Sequence, residues 1–342
     1  MGSVKDLLIM RKATKDRCGT GRFTFSDRYS VFDWGEMPDL IPHKGEALTL
    51  MTAFFFERLE EAGIPTHYRG IVSDGGVVPL SKLPRPERTM EVRLVRVLRP
   101  GLRRDHTYDY SLFKEETGNR LIPLEIIYRN FLPEGSSFVK RVQNGSILLR
   151  DYGLDQIPHP EDRLSRPIFD FSTKLEPTDR YLTPAEAMDI SGLAPPAFQR
   201  AQDILHQVNL LINRILAPLG LVNVDGKIEL GMGDKNELMV VDALGTPDEC
   251  RFYFQGFHVS KEVARIHYRG TDWYRSVEAA KREDRETWKE RVSQPPPFLP
   301  PELRTLISAM YRSLANAVTG RIWYPDTPSL DAVVRSLKEA AL

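Results

Sequence analysis

A single amphipathic helix that leads directly into a strand pair constrains the fold of this chain more than any other feature. From Phe198 to Ile215 apolar residues recur at helical spacing, and a proline and a glycine follow the last of them. Two β-type runs come next, Leu221 to Leu230 and Glu237 to Leu244. The glycine-rich segment between them, at 231–236, has the composition of a turn. This part of the sequence therefore predicts a long helix followed by a β-hairpin.

The first quarter of the chain predicts strands followed by one helix. Leu7 to Met10 and Arg22 to Ser26 are short β-type runs, and Cys18 to Gly21 has turn composition, which favours a hairpin. From Glu46 to Ala62 apolar residues recur at helical spacing, and Gly63 supplies the stop. We expect this helix to pack one face against the sheet.

The remaining segments are shorter or less regular. Thr89 to Leu98 and Leu121 to Tyr128 predict antiparallel strands, each with one face toward water. The charged stretch between them, Arg99 to Arg120, predicts a hairpin extension or a surface loop. Prolines between Arg150 and Pro196 exclude long regular elements, and we place a seam between two lobes there. Two helices are predicted near the C-terminus, at Leu303 to Val318 and at about Leu330 to Ala341.

Charge and cysteine content exclude several classes of protein. The chain has 47 basic and 47 acidic side chains, so no net field would attract it to nucleic acid or to an anionic membrane. The opening residues contain no apolar signal segment, and no apolar run approaches the ~20 residues of a membrane-spanning helix. Cys18 and Cys250 are too few for a disulfide framework. We therefore expect a cytoplasmic protein that binds neither nucleic acid nor a membrane.

The predicted hairpin carries the most informative set of charges. Asp225, Lys227 and Glu229 alternate along one strand, so they project to one face in steps of ~7 Å. Asp242 lies on the facing strand. Carboxylates suit Mg²⁺, and a lysine between them can meet the phosphate oxygens that the metal leaves free. The alternative is a solvated strand face with ordinary cross-strand ion pairs.

Two other segments could bind an anionic substrate. Arg129 ends a predicted strand and is followed by Gly135 and Ser136, a combination that can cradle a phosphate but that also occurs in plain surface turns. Asp248 and Arg251 belong to a turn near the open end of the hairpin, and such turns are often only structural.

Common catalytic motifs are missing from the sequence. Gly19 and Gly21 do not belong to a Walker phosphate loop, because no Gly-Lys-Ser or Gly-Lys-Thr follows them. No histidine pair has the spacing of a helical zinc site, and no Gly-x-Ser-x-Gly motif occurs. Hydrolase and zinc-enzyme functions are therefore disfavoured.

Taken in order, these segments resemble the family of SAICAR synthetases, phosphoribosylaminoimidazole-succinocarboxamide synthases, from end to end. The similarity is carried by motifs in register across nearly the whole chain: Gly2 to Asp6, Ser26 to Asp33, Ile41 to Gly45, Gly63 to His67, Pro123 to Arg129, Gly135-Ser136, Asp225 to Gly231, Thr246 to Arg251 and Pro296 to Gly320. Each match is modest, and together they are specific.

The resemblance implies an α+β fold of two lobes with antiparallel sheets and an ATP-binding core related to protein kinases and ATP-grasp enzymes. It divides the chain into an N-terminal β-rich ATP-binding lobe, 1–120, and a C-terminal α+β lobe, 121–342, with the metal and substrate sites. Relatives of this type are often dimers, so a homodimer is an option that the sequence leaves open.

The resemblance also implies a reaction in purine biosynthesis. ATP would phosphorylate the carboxylate of carboxyaminoimidazole ribonucleotide (CAIR), and the amine of L-aspartate would displace the phosphate. By position in the family motifs, Lys5, Lys227, Glu229 and Asp242 would hold ATP, with Glu229 and Asp242 as the Mg²⁺ ligands. Arg129, Ser136, Asp248 and Arg251 would hold the ribonucleotide, Asp33 and Lys44 would line the aspartate side, and Lys227 and Asp248 would be catalytic.

Several positions depart from the family pattern. Ala243 replaces a glutamate, Ile266 replaces an acid, and Pro133-Glu134 adds a residue to the Gly-Ser loop. Arg99 to Arg120 is longer than usual. These departures leave two alternatives to SAICAR synthesis: a paralogue that ligates a different acid and amine with the same ATP chemistry, and a non-catalytic nucleotide-binding protein.

Overall fold

Two antiparallel sheets form the centre of the protein, which we describe from a computed structural model over residues 4–284 and 287–340. Gly2 and Ser3 of the opening motif lie outside the described residues. The first sheet has the spatial order first, second, fifth, third, fourth strand and contains β1 (Lys5–Arg11), β2 (Gly19–Phe25), β3 (Tyr68–Ser73), β4 (Gly76–Val78) and β5 (Thr89–Leu94).

A two-stranded hairpin and a larger sheet follow along the chain. The hairpin consists of β6 (Gly101–Leu102) and β7 (Tyr108–Asp109). The larger sheet contains β8 (Arg120–Arg129), β9 (Ile168–Thr173), β10 (Tyr181–Leu182), β11 (Leu221–Met232), β12 (Leu238–Val241), β13 (Cys250–Phe254) and β14 (Phe257–His258). Its strand order is β10-β9-β8-β11-β13-β14, and β12 pairs with the far end of β11.

Helices cover both sheets. They are α1 (Lys44–Glu61), α2 (Ser111–Glu115), α3 (Ser137–Gln143), α4 (Pro184–Ser191), α5 (Pro195–Leu216), α6 (Glu262–Arg269), α7 (Asp272–Glu283), α8 (Trp288–Arg291), α9 (Pro301–Thr319) and α10 (Leu330–Ala340). Within the described residues, no helix is both long and apolar enough to cross a membrane.

The N-terminal hairpin is confirmed, but its turn lies earlier than predicted. β1 and β2 pair antiparallel, and the connection runs through residues 12–18. Gly19 and Gly21 are strand residues of β2. A Cβ atom at Gly19 would lie 2.3 Å from the carbonyl oxygen of Arg11. The glycine is therefore required by the close approach of two backbones rather than by a turn.

The predicted long helices are confirmed. α1 packs against β2, β3 and β5 on one side and against α9 on another, and Gly63 follows it with φ +77°. α5 buries Phe198, Ile204 and Leu205 on one face, as the helical spacing predicted. α9 ends before Gly320, which has φ +68°. In both glycines the left-handed backbone conformation ends the helix at little steric cost.

The prediction of a water-facing side for Leu121 to Tyr128 is wrong. Every residue of β8 except Ile127 is buried. The strand lies in the middle of the second sheet between β9 and β11, and α4 and α5 pack on it. Glu125 and Arg129 are the charged residues that suggested a side facing water. In the structure they point into an internal cluster of charges instead.

The helix-plus-hairpin prediction is confirmed with one correction. β11 and β12 form the hairpin after α5. β12 ends at Val241 rather than at Leu244, because Asp242 adopts a left-handed backbone with φ +73°. Residues 242–249 then leave the sheet and return as β13 beside the other half of β11. This departure opens the edge of β11 near its centre.

A short contact joins the two sheets. The backbone N–H of His67 donates to Val240 O at 3.0 Å, and the N–H of Val240 donates to Pro65 O at 2.9 Å. This places the first sheet against β12, beside the segment that starts at Asp242. The junction of the two sheets therefore borders the same hairpin that carries the predicted metal-site charges.

Candidate active site

A cavity of about 680 Å³ opens beside the middle of β11, between the end of β8 and helices α6 and α7. Most of its lining side chains are charged. Five of the residues given site roles by the family resemblance line it, Asp33, Arg129, Lys227, Asp248 and Arg251, and so does Asp225 of the predicted hairpin. The other predicted residues lie in adjoining clusters.

Lys227 is surrounded by three carboxylates. Its Nζ lies 2.9 Å from Glu229 Oε1, 3.0 Å from Glu125 Oε1 and 3.1 Å from Glu249 Oε2. Burial acts to lower the pKa of Lys227, but the carboxylates outweigh it and hold that pKa well above its ordinary value. Lys227 is therefore a permanent cation that lies between the cavity and these three carboxylates, which we call the acidic cluster.

The position of Lys227 follows from the change of partner along β11. Up to Gly226 the strand pairs with β13, and from Glu229 onward it pairs with β12. The N–H of Lys227 donates to Glu249 O at 3.3 Å, between these two ladders. A Cβ atom at Gly226 would lie 2.4 Å from the Tyr128 hydroxyl, so glycine is needed for β11 to pack there.

Lys174 is a second cation in the acidic cluster. Its Nζ lies 2.7 Å from Glu229 Oε1 and 3.2 Å from Glu125 Oε1. Burial opposes the charged form, whereas Glu229 and Glu125 favour it, and the net effect raises the pKa of Lys174. No sequence pattern pointed to Lys174, because it lies in the proline-rich stretch with no motif around it.

Lys5 and Asp242 form an ion pair across the two sheets. The Lys5 ammonium also lies 5.6 Å from the ring centres of Phe23 and Phe25. Burial acts to raise the pKa of Asp242, but Lys5, Lys227 and Lys174 lower it well below its usual range. Lys5, Lys227, Glu229 and Asp242 therefore share one cluster of coupled charges.

The opposite end of the cavity is rich in arginine. Arg251 donates from Nε to Asp225 Oδ1 at 2.8 Å. Arg129 donates from Nη2 to Asp170 Oδ2 at 3.0 Å, and Arg141 binds the same oxygen. These buried carboxylates fix the guanidinium groups of Arg129 and Arg251, and both residues line the cavity.

Ser136 begins helix α3 rather than lining the cavity. Its hydroxyl accepts from the N–H of Phe138 at 3.3 Å, and the residue is almost fully buried. The next residue, Ser137, lines the cavity and receives a bond of 3.1 Å from Arg129 Nη2. Ser137 belongs to the Gly-Ser segment that predicted a phosphate cradle, although only Ser136 was given a site role.

Asp248 connects the main cavity to a buried network. Its Oδ2 lies 2.6 Å from Lys44 Nζ, and its Oδ1 accepts from the Tyr311 hydroxyl at 2.6 Å. Lys44 has no exposed side-chain surface, so it reaches the site only through Asp248. Asp33 lies on the rim, with its side chain 85% exposed and paired with Lys281 at 3.1 Å.

The positions that depart from the family pattern lie mostly away from the cavity. Ala243 is buried in the main core, and Ile266 is half-buried on α6 and does not line the cavity. Glu134 does line it. The loop insertion is therefore the departure that could alter substrate contacts directly.

The chain is similar over most of its length to one family of known proteins. The model of the SAICAR synthetase family matches residues 2–280. A protein of Archaeoglobus fulgidus, provisionally named phosphoribosylaminoimidazole-succinocarboxamide synthase, is 51% identical over 339 residues, which is 99% of each chain. The enzyme of that name from Thermoplasma acidophilum is 30% identical, and the match covers 94% of this chain and 98% of the relative.

Solved structures share the fold. The Saccharomyces cerevisiae SAICAR synthase complexed with SAICAR superposes with a TM-score of 0.63 at 24% identity, over 94% of each chain. A SAICAR synthetase in complex with ADP gives a TM-score of 0.57 at 21% identity and covers 84% of this chain and 97% of the other. The α+β fold of antiparallel sheets and helices is thus common to these proteins. From its matches over almost the whole length, the chain belongs to the SAICAR synthetase family.

Proposed function

We propose that the protein is an ATP-dependent carbon–nitrogen ligase that joins the carboxylate of CAIR to the amine of L-aspartate, yielding SAICAR, ADP and phosphate in purine biosynthesis. The observation that carries the proposal is the position of Lys227 between an acidic cluster and an arginine-lined cavity. Amide formation in water requires an activated acyl group, and phosphoryl transfer depends on positioning and charge neutralisation.

The triphosphate of ATP would lie along the lysines of the acidic cluster. Lys5, Lys174 and Lys227 are held by buried carboxylates, so their ammonium groups are already oriented. A bound phosphate chain would take over part of these ion pairs. Because the cations need no reorganisation, they would favour charge that develops on the transferring phosphoryl group.

The base of the nucleotide would pack against a small apolar cluster between the two sheets. Cys18, Leu121, Met239 and Val241 form a core that is separate from the main one, with half-buried Val95 and Leu175 at its edge. β12 leads from this cluster directly to Asp242. A flat apolar base and a charged phosphate chain would therefore meet matching surfaces along one strand.

Magnesium would be held by Glu229 and Asp242. Glu229 pairs with Val241 across the hairpin, so the two carboxylates come from adjoining positions. In the part of the chain that the structure describes, no three His, Cys, Asp or Glu side chains form a ready metal cage. Two adjoining carboxylates suit Mg²⁺, which takes most of its ligands from phosphate and water and would neutralise phosphate charge here.

The ribonucleotide would bind with its phosphate at the arginine end. Arg129 and Arg251 are fixed by Asp170 and Asp225, and Ser136 holds the start of α3 beside them. The carboxylate of the substrate would then extend toward Lys227. After phosphoryl transfer to a carboxylate oxygen, the amine attacks the acyl carbon, the carbon–oxygen bond breaks and phosphate leaves.

Asp248 and Lys227 would act at the reacting groups. Lys227 would contact the phosphoryl group in transfer, and Asp248, oriented by Lys44 and Tyr311, would face the incoming amine. Asp33 would lie at the rim of the cavity, on the side from which the amine substrate enters. We further propose that residues 1–120 act as the ATP-binding lobe and 121–342 as the lobe with the metal and substrate sites.

Two further properties belong to this proposal. Cys18 and Cys250 are buried and unbridged, which agrees with a cytoplasmic enzyme. A homodimer is supported by β1, an edge strand with four consecutive exposed aliphatic residues, Leu7 to Met10. Natural edge strands of this kind are usually covered, and a second copy of the same strand is a suitable cover.

The proposal is tested by measuring ADP formation with ATP, Mg²⁺, CAIR and L-aspartate, omitting each in turn, and identifying the product by mass spectrometry. We expect turnover only when all four are present, with SAICAR as the product. ADP formation with other acids or amines, but not with this pair, would indicate a paralogue. Nucleotide binding without turnover under any condition would contradict the assignment as a ligase.

A further inference from the structure

The wall of the main cavity includes a turn with an unusual backbone. Phe32 and Asp33 both line the cavity, and they are consecutive residues in the left-handed conformation, with φ of 54° and 62°. Aspartate adopts this conformation at moderate cost, but a bulky side chain such as phenylalanine rarely does. A strained backbone of this kind persists only where surrounding contacts hold it. The contacts of residues 31–34, which we call the wall turn, therefore determine how this side of the cavity is fixed.

One lysine of α7 binds the wall turn from outside. Lys281 Nζ donates to the backbone oxygen of Phe32 at 2.8 Å and to Asp33 Oδ2 at 3.1 Å. The same ammonium group lies 4.6 Å from the ring centre of Trp288, which is the distance of a cation–π contact. Lys281 therefore joins both strained residues of the turn to the aromatic residue that begins α8.

Aromatic packing supports the side chains of the wall turn. The ring centre of Phe32 lies 4.5 Å from that of Tyr274, and the ring centre of Trp34 lies 5.9 Å from that of Trp288. Such contacts fix where the rings lie, whereas a hydrogen bond to a carbonyl fixes the orientation of a peptide group. The bond from Lys281 acts on the peptide group that follows Phe32, between the two left-handed residues.

The two bonds of Lys281 differ in strength. The Asp33 carboxylate is 85% exposed, so water screens its pairing with Lys281, and that pair contributes little on its own. The Lys281 side chain is only 25% exposed, and its other bond joins a charged donor to the backbone oxygen of Phe32. A charge-assisted bond from a largely buried group is the stronger of the two. The carbonyl of Phe32 is therefore the main point at which α7 holds the turn.

We propose that Lys281 is a positioning residue that holds the wall turn in the conformation in which Phe32 and Asp33 line the cavity. It acts through these two residues and not on the reacting groups. The assignment rests on the proposed function, in which Asp33 lies on the side from which the amine substrate enters. The family resemblance gives Lys281 no role.

Kinetics with Lys281→Met and Lys281→Arg test the proposal. Methionine keeps an apolar side chain over Trp288 but cannot donate to Phe32 O. We therefore expect KM for L-aspartate to rise about 5- to 20-fold in Lys281→Met, while kcat changes less than about threefold. KM for ATP should stay within about twofold of the wild type, because the nucleotide would bind at the lysines of the acidic cluster. Arginine retains a charged donor, so Lys281→Arg should recover most of the affinity for aspartate.

Lys289→Met is the matched control. Lys289 lies 5.4 Å from the centre of the same Trp288 ring, but it is exposed on α8 and is not one of the described residues that line the cavity. The substitution removes a cation from the ring and leaves the hydrogen bonds of Lys281 intact, so the kinetics should match those of the wild type. An equal loss in both methionine variants, or an unchanged KM for aspartate in Lys281→Met, would overturn the assignment.

Hydrogen exchange separates this inference from the proposed function, because it requires no turnover. The N–H of Trp34 donates to Val31 O at 3.2 Å across the wall turn, so its exchange rate reports whether the turn is held. Without substrates, we expect exchange of this amide to be at least about tenfold faster in Lys281→Met than in the wild type or in Lys289→Met.

The outcomes of the two experiments are distinct. If exchange accelerates as expected but the wild-type protein does not turn over ATP with CAIR and aspartate, the proposed function fails and the role of Lys281 in holding the wall turn stands. If all three proteins exchange the Trp34 amide at the same rate, the role of Lys281 is contradicted, whatever the kinetics give.

Discussion

At the scale of single residues, Lys227 concentrates the chemistry of the site. We predict that Lys227→Ala lowers kcat by at least about 10³-fold, because the variant loses a preorganised cation at the transferring phosphoryl group. The fold should persist, since Lys174 still pairs with Glu125 and Glu229. Steady-state kinetics and circular dichroism check both expectations. Lys235→Ala, in the exposed turn of the same hairpin, is the control. Near-normal kcat in Lys227→Ala would remove this lysine from the mechanism.

His67 should make stability depend on pH. Burial lowers its pKa to about 4, from an unfolded value of about 6.5. As the pH falls from about 6.5 to about 4, the unfolded state takes up a proton that the folded state does not, so the free energy of unfolding should fall by about 3 kcal/mol. Urea titrations across this range measure the slope. His67→Gln should lose that part of the slope, and an identical slope in both proteins would contradict the linkage.

At the scale of elements, three asparagines fasten α5 to the second sheet. Asn209 on α5 accepts from Asn130 at 2.9 Å and from Asn223 at 3.1 Å, and it donates back to Asn130 at 2.8 Å. All three are buried. This network positions the helix over β8 and β11, the strands that carry the site.

We predict that Asn209→Ala lowers the free energy of unfolding by about 2–4 kcal/mol, because it leaves buried amide groups without partners. Chemical denaturation measures the change. Gln199→Ala, on an exposed turn of the same helix, should stay within about 0.5 kcal/mol of the wild type. Equal effects of the two substitutions would show that the asparagine network contributes little.

The sequence predicts elements better than it predicts the site. α1, α5 and α9 follow from apolar spacing alone, because local periodicity determines which face of a helix is buried. The burial of β8 on both faces depends on strands and helices far along the chain. In the site, strand alternation singles out Lys227. The ion pair between Glu249 and Lys227, and the pairing of Lys174 with the same Glu229, arise only from tertiary contacts. The i, i+4 spacing of Lys261 and Arg265 is visible in the sequence, but the cavity that both residues line is visible only in the structure.

At the scale of the whole molecule, the exposed edge strand β1 predicts self-association. Leu8 is 62% exposed and lies on the outer strand of the first sheet. We expect light scattering to give about twice the chain mass of 39.1 kDa for the wild type. Leu8→Lys should give the monomer mass, because a charge on an edge strand opposes pairing. Val77→Lys, on the opposite edge of the sheet, is the control and should remain a dimer. A monomeric wild type would contradict the homodimer.

The two sheets bring the acidic cluster and the arginine-lined cavity together around Lys227. The central claim is that ATP activates a carboxylate at their junction. Transfer of ¹⁸O tests this most directly. CAIR labelled with ¹⁸O in its carboxylate is turned over with ATP and L-aspartate, and the released phosphate is examined by mass spectrometry. An acyl phosphate requires one labelled oxygen to leave with the phosphate, so we predict singly labelled inorganic phosphate. Unlabelled phosphate released alongside the amide product would contradict activation of the carboxylate by ATP.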